Sequence, residues 1–419
     1  MLAAATFSHG HELSENAVGN AIGQDAYRTH RSSGEIRPDY GENGLNFDLG
    51  EEQRLLRDML SRFGADRYDP AKRLTYLREP DGFARDNWAA LAEAGVLAFA
   101  LPEAAGGFGG SDSDIIIAME TLGNITAVEP MLACVIMGIG ALWQSGTESQ
   151  RKRVIPELVA GQRFAALAVY ERESRYRSDN PRAVVERRGE SFVLSGTKQT
   201  VLGGPFATDL VVSARADASG EIGLYLVDAR SPGLAFRHYR LADGSAASDI
   251  DFASVPVEPM DGGADALRSV LRQARLAICA ELVGLMARMF DETLEYLKTR
   301  EQFGKPLGSF QAIQHRMADC YTKLELSRSQ LYRAAGMRAN NSSPDSSAHG
   351  AKAFIARNAI HIGEEAVQLH GGIGTTEELL VGQAFKRVFT LASLMGDVDT
   401  EISRYIALSG ASDGPMASG

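Results

Sequence analysis

The sequence has little cysteine, no long apolar run and no excess of positive charge. Cys134, Cys279 and Cys320 are the only cysteines in 419 residues. They are odd in number and far apart, which suits a reducing compartment and offers no metal cluster. No uninterrupted apolar stretch approaches the roughly 18–20 residues that span a bilayer, so no membrane span is expected. The formal net charge is −11, from 54 acidic and 43 basic residues, which argues against nucleic acid or an anionic membrane as the main partner.

What is present is ordinary globular material, 44% hydrophobic and 23% charged, enough for two or three domains with real cores. Residues 1–45 are different. "HGHELSENAVGNAIGQDAYRTHRSSGEIRPDYGENG" is polar and aperiodic and reads as a flexible tail. His9 and His11 lie in it, and an exposed pair of this kind is read as inert. "MLAAATF" is too short for a signal-peptide core, and the glutamates after it do not suit a transit peptide. A cytoplasmic location is the expectation.

Residues 46–160 read as a helical domain. "FDLGEEQRLLRDMLSRFGADRY" places Leu55, Met59 and Phe63 on one helical face. A helix over "DNWAALAEAG" stops at glycines and another restarts behind Ser111 or Asp112. "DIIIAMETLGNI" and "PMLACVIMGIGALWQSG" continue the helical pattern. Residues 161–262 change texture. "FAALAVYE", "FVLSGTKQTVLGG", "DLVVSARAD" and "IGLYLVDA" are short β-rich runs divided by turn residues, which predicts a β-barrel or sandwich. Residues 263–410 return to helical spacing, with Leu271, Ile278, Leu282, Leu285 and Met289 marking a long core helix. Three further helical segments predict a C-terminal four-helix bundle. Residues 411–419 form a second tail. The fold class is α+β, in the order helical domain, β domain, helical bundle.

Two stretches carry chemistry. In "TREQFGKPLGSFQAIQHRMAD" (299–319), Arg300 is a planar five-donor cation suited to a pyrophosphate. Phe303 offers an apolar face, and Gly304 permits close backbone approach. In "AVQLHGGIGTTEE" (366–378), the glycines after a helix expose N–H groups that cradle an anion or ring edge, and Gln368 both donates and accepts. A lone "RxxFG" is most simply a helix end with a glycine cap; the two stretches together favour a ligand.

Together these stretches resemble the two C-terminal signatures of the acyl-CoA dehydrogenase family, and the resemblance covers residues 46–407. It implies FAD-dependent α,β-desaturation of an acyl-CoA thioester, with an electron-transfer flavoprotein as electron acceptor. It also implies that Arg300, Gln302, Phe303, Gln368, Gly371 and Gly372 bind the adenine half of an FAD belonging to a neighbouring subunit.

The sequence departs from the family pattern at the catalytic centre. The family's glutamate base stands in a Tyr-Glu-Gly-Thr stretch before an "E-I-x-R" helix. Counting back from Glu401–Arg404 puts Asp397 in its place, whereas counting forward from Arg387 puts Gly396 there. The alternative location of the base in some members aligns with Ala274, and Glu281 reads as structural. The family's flavin wall is replaced by "AVYERESRYRSD" (168–179). Thr200 stands for a tryptophan, Leu202 for a threonine and Asp399 for the threonine after the base. The alterations fall on the features that hold a subunit's own flavin ring. That asymmetry resembles the small subunit of heteromeric bacterial enzymes of pimeloyl-CoA or steroid side-chain type. Three readings stay open: a subunit paired with a paralogous chain in a dimer or tetramer, a self-sufficient homomer using Asp397, or a flavin-free structural or regulatory relative.

Overall fold

The computed structural model describes residues 49–107, 109–217, 219–336 and 344–410. Both predicted tails, and with them His9 and His11, lie outside the described residues.

The N-terminal helices are α1 (Glu51–Arg67), α2 (Pro70–Arg78), α3 (Arg85–Glu93) and α4 (Asp112–Asn124), then a π-helical stretch (Met131–Ile139), α5 (Gly140–Ser145) and α6 (Glu148–Val159). Ser111 caps α4, accepting the Asp114 N–H while the Asp114 carboxylate accepts the Ser111 N–H. On α1 the buried stripe is Leu56, Leu60 and Gly64. Leu55 faces solvent at 63% exposure, a correction to the expected stripe of Leu55, Met59 and Phe63. The reason is Gly64, where a Cβ would lie 2.4 Å from Ile125 Cγ2. That close approach turns the neighbouring row of α1 inward, leaving Met59 and Phe63 partly buried at its flank.

The strands are β1 (Ala165–Ala168), β2 (Val184–Arg188), β3 (Ser191–Leu202), β4 (Asp209–Ala216), β5 (Ile222–Asp228), β6 (Leu234–Arg240) and β7 (Ala246–Pro259). They pair as β4–β2–β3–β7–β5, and β5 returns to β4, closing a small barrel. β1 adds in parallel to β4 and β6 in antiparallel to β7. Closure leaves the ring strands without a free edge. Leu194, Leu210, Val212, Ile250 and Val255 fill the interior.

The C-terminal helices are α7 (Gly263–Thr299), α8 (Gln311–Gly336), α9 (Pro344–His370), α10 (Leu380–Ser393) and α11 (Val398–Gly410). A hairpin of β8 (Glu301–Gln302) and β9 (Lys305–Pro306) joins α7 to α8. The bundle therefore has a fifth, shorter helix beyond the four expected, and α11 packs on α9. Glycine contacts join α7 to α4: a Cβ on Gly123 would lie 2.3 Å from Glu281 O, and one on Gly284 2.0 Å from Glu120 O. The α7 residues Ala274 to Met286 are all buried, so this helix is the common spine of the helical regions. No described helix is long and apolar enough to cross a membrane.

Candidate functional site

A cavity of about 720 Å³ opens between the barrel and the α10–α11 loop. Its floor is apolar, with Met137, Leu167, Val169, Leu202, Leu394 and Met395. Arg172, Arg175 and Tyr176 line it from the segment after β1, Gln199 and Thr200 from β3, and Asp397 from the loop. Thr200 has φ +52 and is held there by its N–H donating to Asp249 Oδ1 at 3.1 Å.

The loop's geometry follows from helix-end chemistry. A helix leaves its last carbonyls unpaired, and here Lys352 on α9 collects them. Its ammonium donates to Leu394 O at 2.6 Å, to Ala392 O at 3.5 Å and to Gly396 O. Arg404 on α11 donates to Met395 O at 3.1 Å and to Tyr176 O. Met395 and Gly396 take φ +65 and +147 to expose these carbonyls. Asp397 then caps α11: Oδ1 accepts the Thr400 N–H at 2.8 Å. Asp397 is exposed, and its hydrogen bonds to Thr400 hold its carboxyl below the usual range. A base that removes the weakly acidic α proton of a thioester needs the opposite, burial that raises the carboxyl toward neutrality.

Beneath the loop, Glu401 is fully buried. Its Oε2 accepts from His349 Nδ1 at 2.5 Å, which fixes the His349 proton on that nitrogen. Arg275 Nε lies 3.4 Å, Lys352 Nζ 3.8 Å and Arg404 Nη1 3.9 Å from Oε1. Burial pushes the Glu401 carboxyl up, but His349, Arg275 and Lys352 outweigh it and hold it below its ordinary value. Burial lowers Lys352 to about 8 against the pull of Glu401. Burial likewise keeps His349 below its ordinary value. A Cβ on Gly396 would lie 2.5 Å from Glu401 Oε1, so a glutamate there would displace this cluster. Ala274 is buried in α7 beside Arg275. Glu281 is a bidentate partner of Arg387 at 2.6 and 3.0 Å, with Asp243 completing the set at 2.7 Å.

The segment 168–179 also carries an ion pair. Glu171 accepts from Lys198 at 2.7 Å and from the N–H groups of Arg182 and Ala183. Both side chains are buried. The roles of Glu401, His349, Lys352, Arg275 and Glu171 escaped sequence reading, because their partners come from distant segments. A glutamate inside the "EISR" run was the only local signal.

The second region lies at the far end of α7. Arg300 caps α7, its N–H donating to Tyr296 O at 2.8 Å. Phe303 and Gly304, at φ +55 and +78, form the hairpin tip, and Phe303 is 90% exposed. His370, the last residue of α9, stacks on Tyr296 with centroids 4.3 Å apart. That contact brings the α7 end and the "HGGIG" turn together. Arg300, Gln302, Gln368, Gly371 and Gly372 are all exposed. A Cβ on Gly371, Gly372 or Gly304 would meet nothing within 4 Å. Asp397 does not join this group; it lies at the cavity, on another face. Among the described residues no group of three or more His, Cys, Asp or Glu is placed to hold a metal.

The fold recurs in known proteins. Residues 50–162 match the family "Acyl-CoA dehydrogenase, N-terminal domain", and residues 261–406 match "Acyl-CoA dehydrogenase, C-terminal domain". Caffeyl-CoA reductase-Etf complex subunit CarC of Acetobacterium woodii is 28% identical over 82% of this chain and 94% of its own. Among solved structures, a variant of the steroid ACAD Tcur3481-Tcur3483 is 30% identical. It covers 87% of this chain and 99% of its own with a TM-score of 0.79. The ChsE4-ChsE5 complex of Mycobacterium tuberculosis is 26% identical, with 88% and 100% covered and a TM-score of 0.80. Matched at both ends and superposable along nearly its whole described length, with helices flanking a closed barrel, this chain belongs to the acyl-CoA dehydrogenase family.

Proposed function

We propose that this chain is a subunit of a heteromeric acyl-CoA dehydrogenase, pairing with a paralogous chain that carries the base and binding part of that chain's FAD. The observation that carries this reading is the α10–α11 loop: its one cavity-facing carboxylate, Asp397, is exposed and committed to capping α11. The buried carboxylates near it are committed too, Glu171 at the cavity to Lys198 and Glu401 beneath the loop to His349 and three cations.

The edge offered to a neighbour fits the adenine half of FAD. Arg300 would pair with the pyrophosphate, Phe303 would cover an apolar face, and the open Gly371–Gly372 backbone with Gln368 would receive a ring edge. The chain's own ring site fits less well, because Arg172, Arg175 and Asp397 line it where small uncharged residues are needed. When bound, FAD accepts the hydride that leaves the β carbon of an acyl-CoA thioester. This chain's part is binding and orientation. An electron-transfer flavoprotein as acceptor is supported by the Etf complex named for the Acetobacterium relative. Heteromeric assembly, as a dimer or tetramer, is supported by the two-component names of the solved relatives, and a steroid acyl substrate by one of them.

Because Asp397 does line the cavity, a self-sufficient homomer using it as base is the competing reading. Expressing the chain alone and together with its paralogous partner separates them. We expect the lone chain to purify colourless and the complex to carry one FAD per pair of unlike chains. A lone chain that retains one FAD each and desaturates an acyl-CoA would overturn the proposal.

A further inference from the structure

We infer that the cavity between the barrel and the α10–α11 loop binds a small organic anion with an apolar body, a free carboxylic acid, in place of a flavin ring. The inference rests on the reading that this chain does not hold its own FAD.

Three observations point to that ligand class. The first is size and lining. About 720 Å³ over an apolar floor lies within the range of pockets that enclose small organic ligands. The second is the mouth. Arg172 and Arg175 both line the cavity and are exposed, and neither forms a hydrogen bond or ion pair with another described residue. No other described arginine lines the cavity; Arg275 and Arg404, beneath the loop, are engaged with Glu401 and the loop carbonyls. Two free guanidiniums over an apolar floor match a carboxylate head on an apolar body, since the planar fork takes both carboxylate oxygens. The third is the surrounding charge. Of the four charged residues that line the cavity, Glu171 is neutralised by Lys198, which leaves Arg172 and Arg175 against Asp397. A chain of net charge −11 thus lines this cavity with two cations against one carboxylate not held by Lys198, and a low-dielectric pocket focuses that field.

Asp397 is the opposing feature, since it shares the mouth. Its carboxylate is turned to the Thr400 N–H, which spends one oxygen within the loop and leaves the two arginines dominant.

The test is calorimetric titration of the purified full chain with octanoate, octanamide and FAD in separate runs. We expect saturable binding of octanoate and at least about tenfold weaker binding of octanamide, which keeps shape and loses charge. Joint substitution Arg172→Gln and Arg175→Gln should weaken octanoate by a similar factor and leave octanamide unchanged; both side chains are exposed, so folding is preserved. Equal binding of acid and amide, or no saturable binding of octanoate, overturns the inference while leaving the proposed subunit role standing. Stoichiometric FAD binding by the lone chain, abolished by filling the cavity with Leu394→Trp, overturns both.

Discussion

Asp397 Oδ1 accepts the Thr400 backbone N–H at 2.8 Å, and this bond starts the last helix of the bundle. A residue at the place of a catalytic carboxylate is thus a helix cap. Asparagine caps as well as aspartate, whereas alanine costs about 0.5–2 kcal/mol. Asp397→Asn should leave thermal stability nearly unchanged, and Asp397→Ala should lower it by that amount. In the complex with the paralogous chain, turnover of Asp397→Asn should fall less than about tenfold, or ~1.4 kcal/mol of barrier. A far larger loss with flavin content intact would make Asp397 a base.

Glu401 balances Arg275, Lys352 and Arg404 in a site closed to water. Removing one partner of a buried charge set leaves the others uncompensated, at a cost of about 3–5 kcal/mol. Glu401→Gln should therefore be strongly destabilising in urea unfolding. Neutral Glu281→Gln, beside Arg387 and Asp243, makes a second instance at a site remote from the loop.

Acid should weaken the same cluster in two stages. The folded-state values of His349 and Glu401 both lie below their ordinary ones. The unfolded chain therefore binds these protons first, so stability is present above the unfolded values and is lost as pH falls. The His349 contribution begins to decline below about 6.5 and that of Glu401 below about 4.3. Unfolding midpoints measured from pH 8 to 2 should fall in that order. His349→Asn should remove the upper stage.

Arg300 and Gly372 separate flavin contact from folding. Arg300→Ala removes an exposed cation, and flavin retention in the complex should weaken by about 1.5–3 kcal/mol, the worth of a charge-assisted hydrogen bond. Gly372→Ala meets open space in the isolated chain, so its melting should match wild type while flavin content of the complex drops. Unchanged flavin content in both variants would remove this edge from the site.

Tyr296 holds the two motifs in one place through its stack on His370. Tyr296→Ala should reduce flavin in the complex even with Arg300 and Gly372 present. Tyr296→Phe keeps the stacked ring and should restore it.

The sequence alone determined the α+β class, the order of helices, barrel and helices, and the family. Those features rest on local periodicity and on two motifs read along the chain, such as "TREQFG" and "QLHGGIG". Only the tertiary structure decided which face of α1 is buried, because the Gly64–Ile125 approach joins residues far apart in sequence. It also decided what the altered loop does. Nothing near Asp397 in the chain shows that Lys352 and Arg404 will gather the carbonyls of residues 394–396, or that Glu401 will lie between them. A carboxylate's identity is written in the sequence, but its proton affinity and reach are set by the charges and burial that folding brings to it.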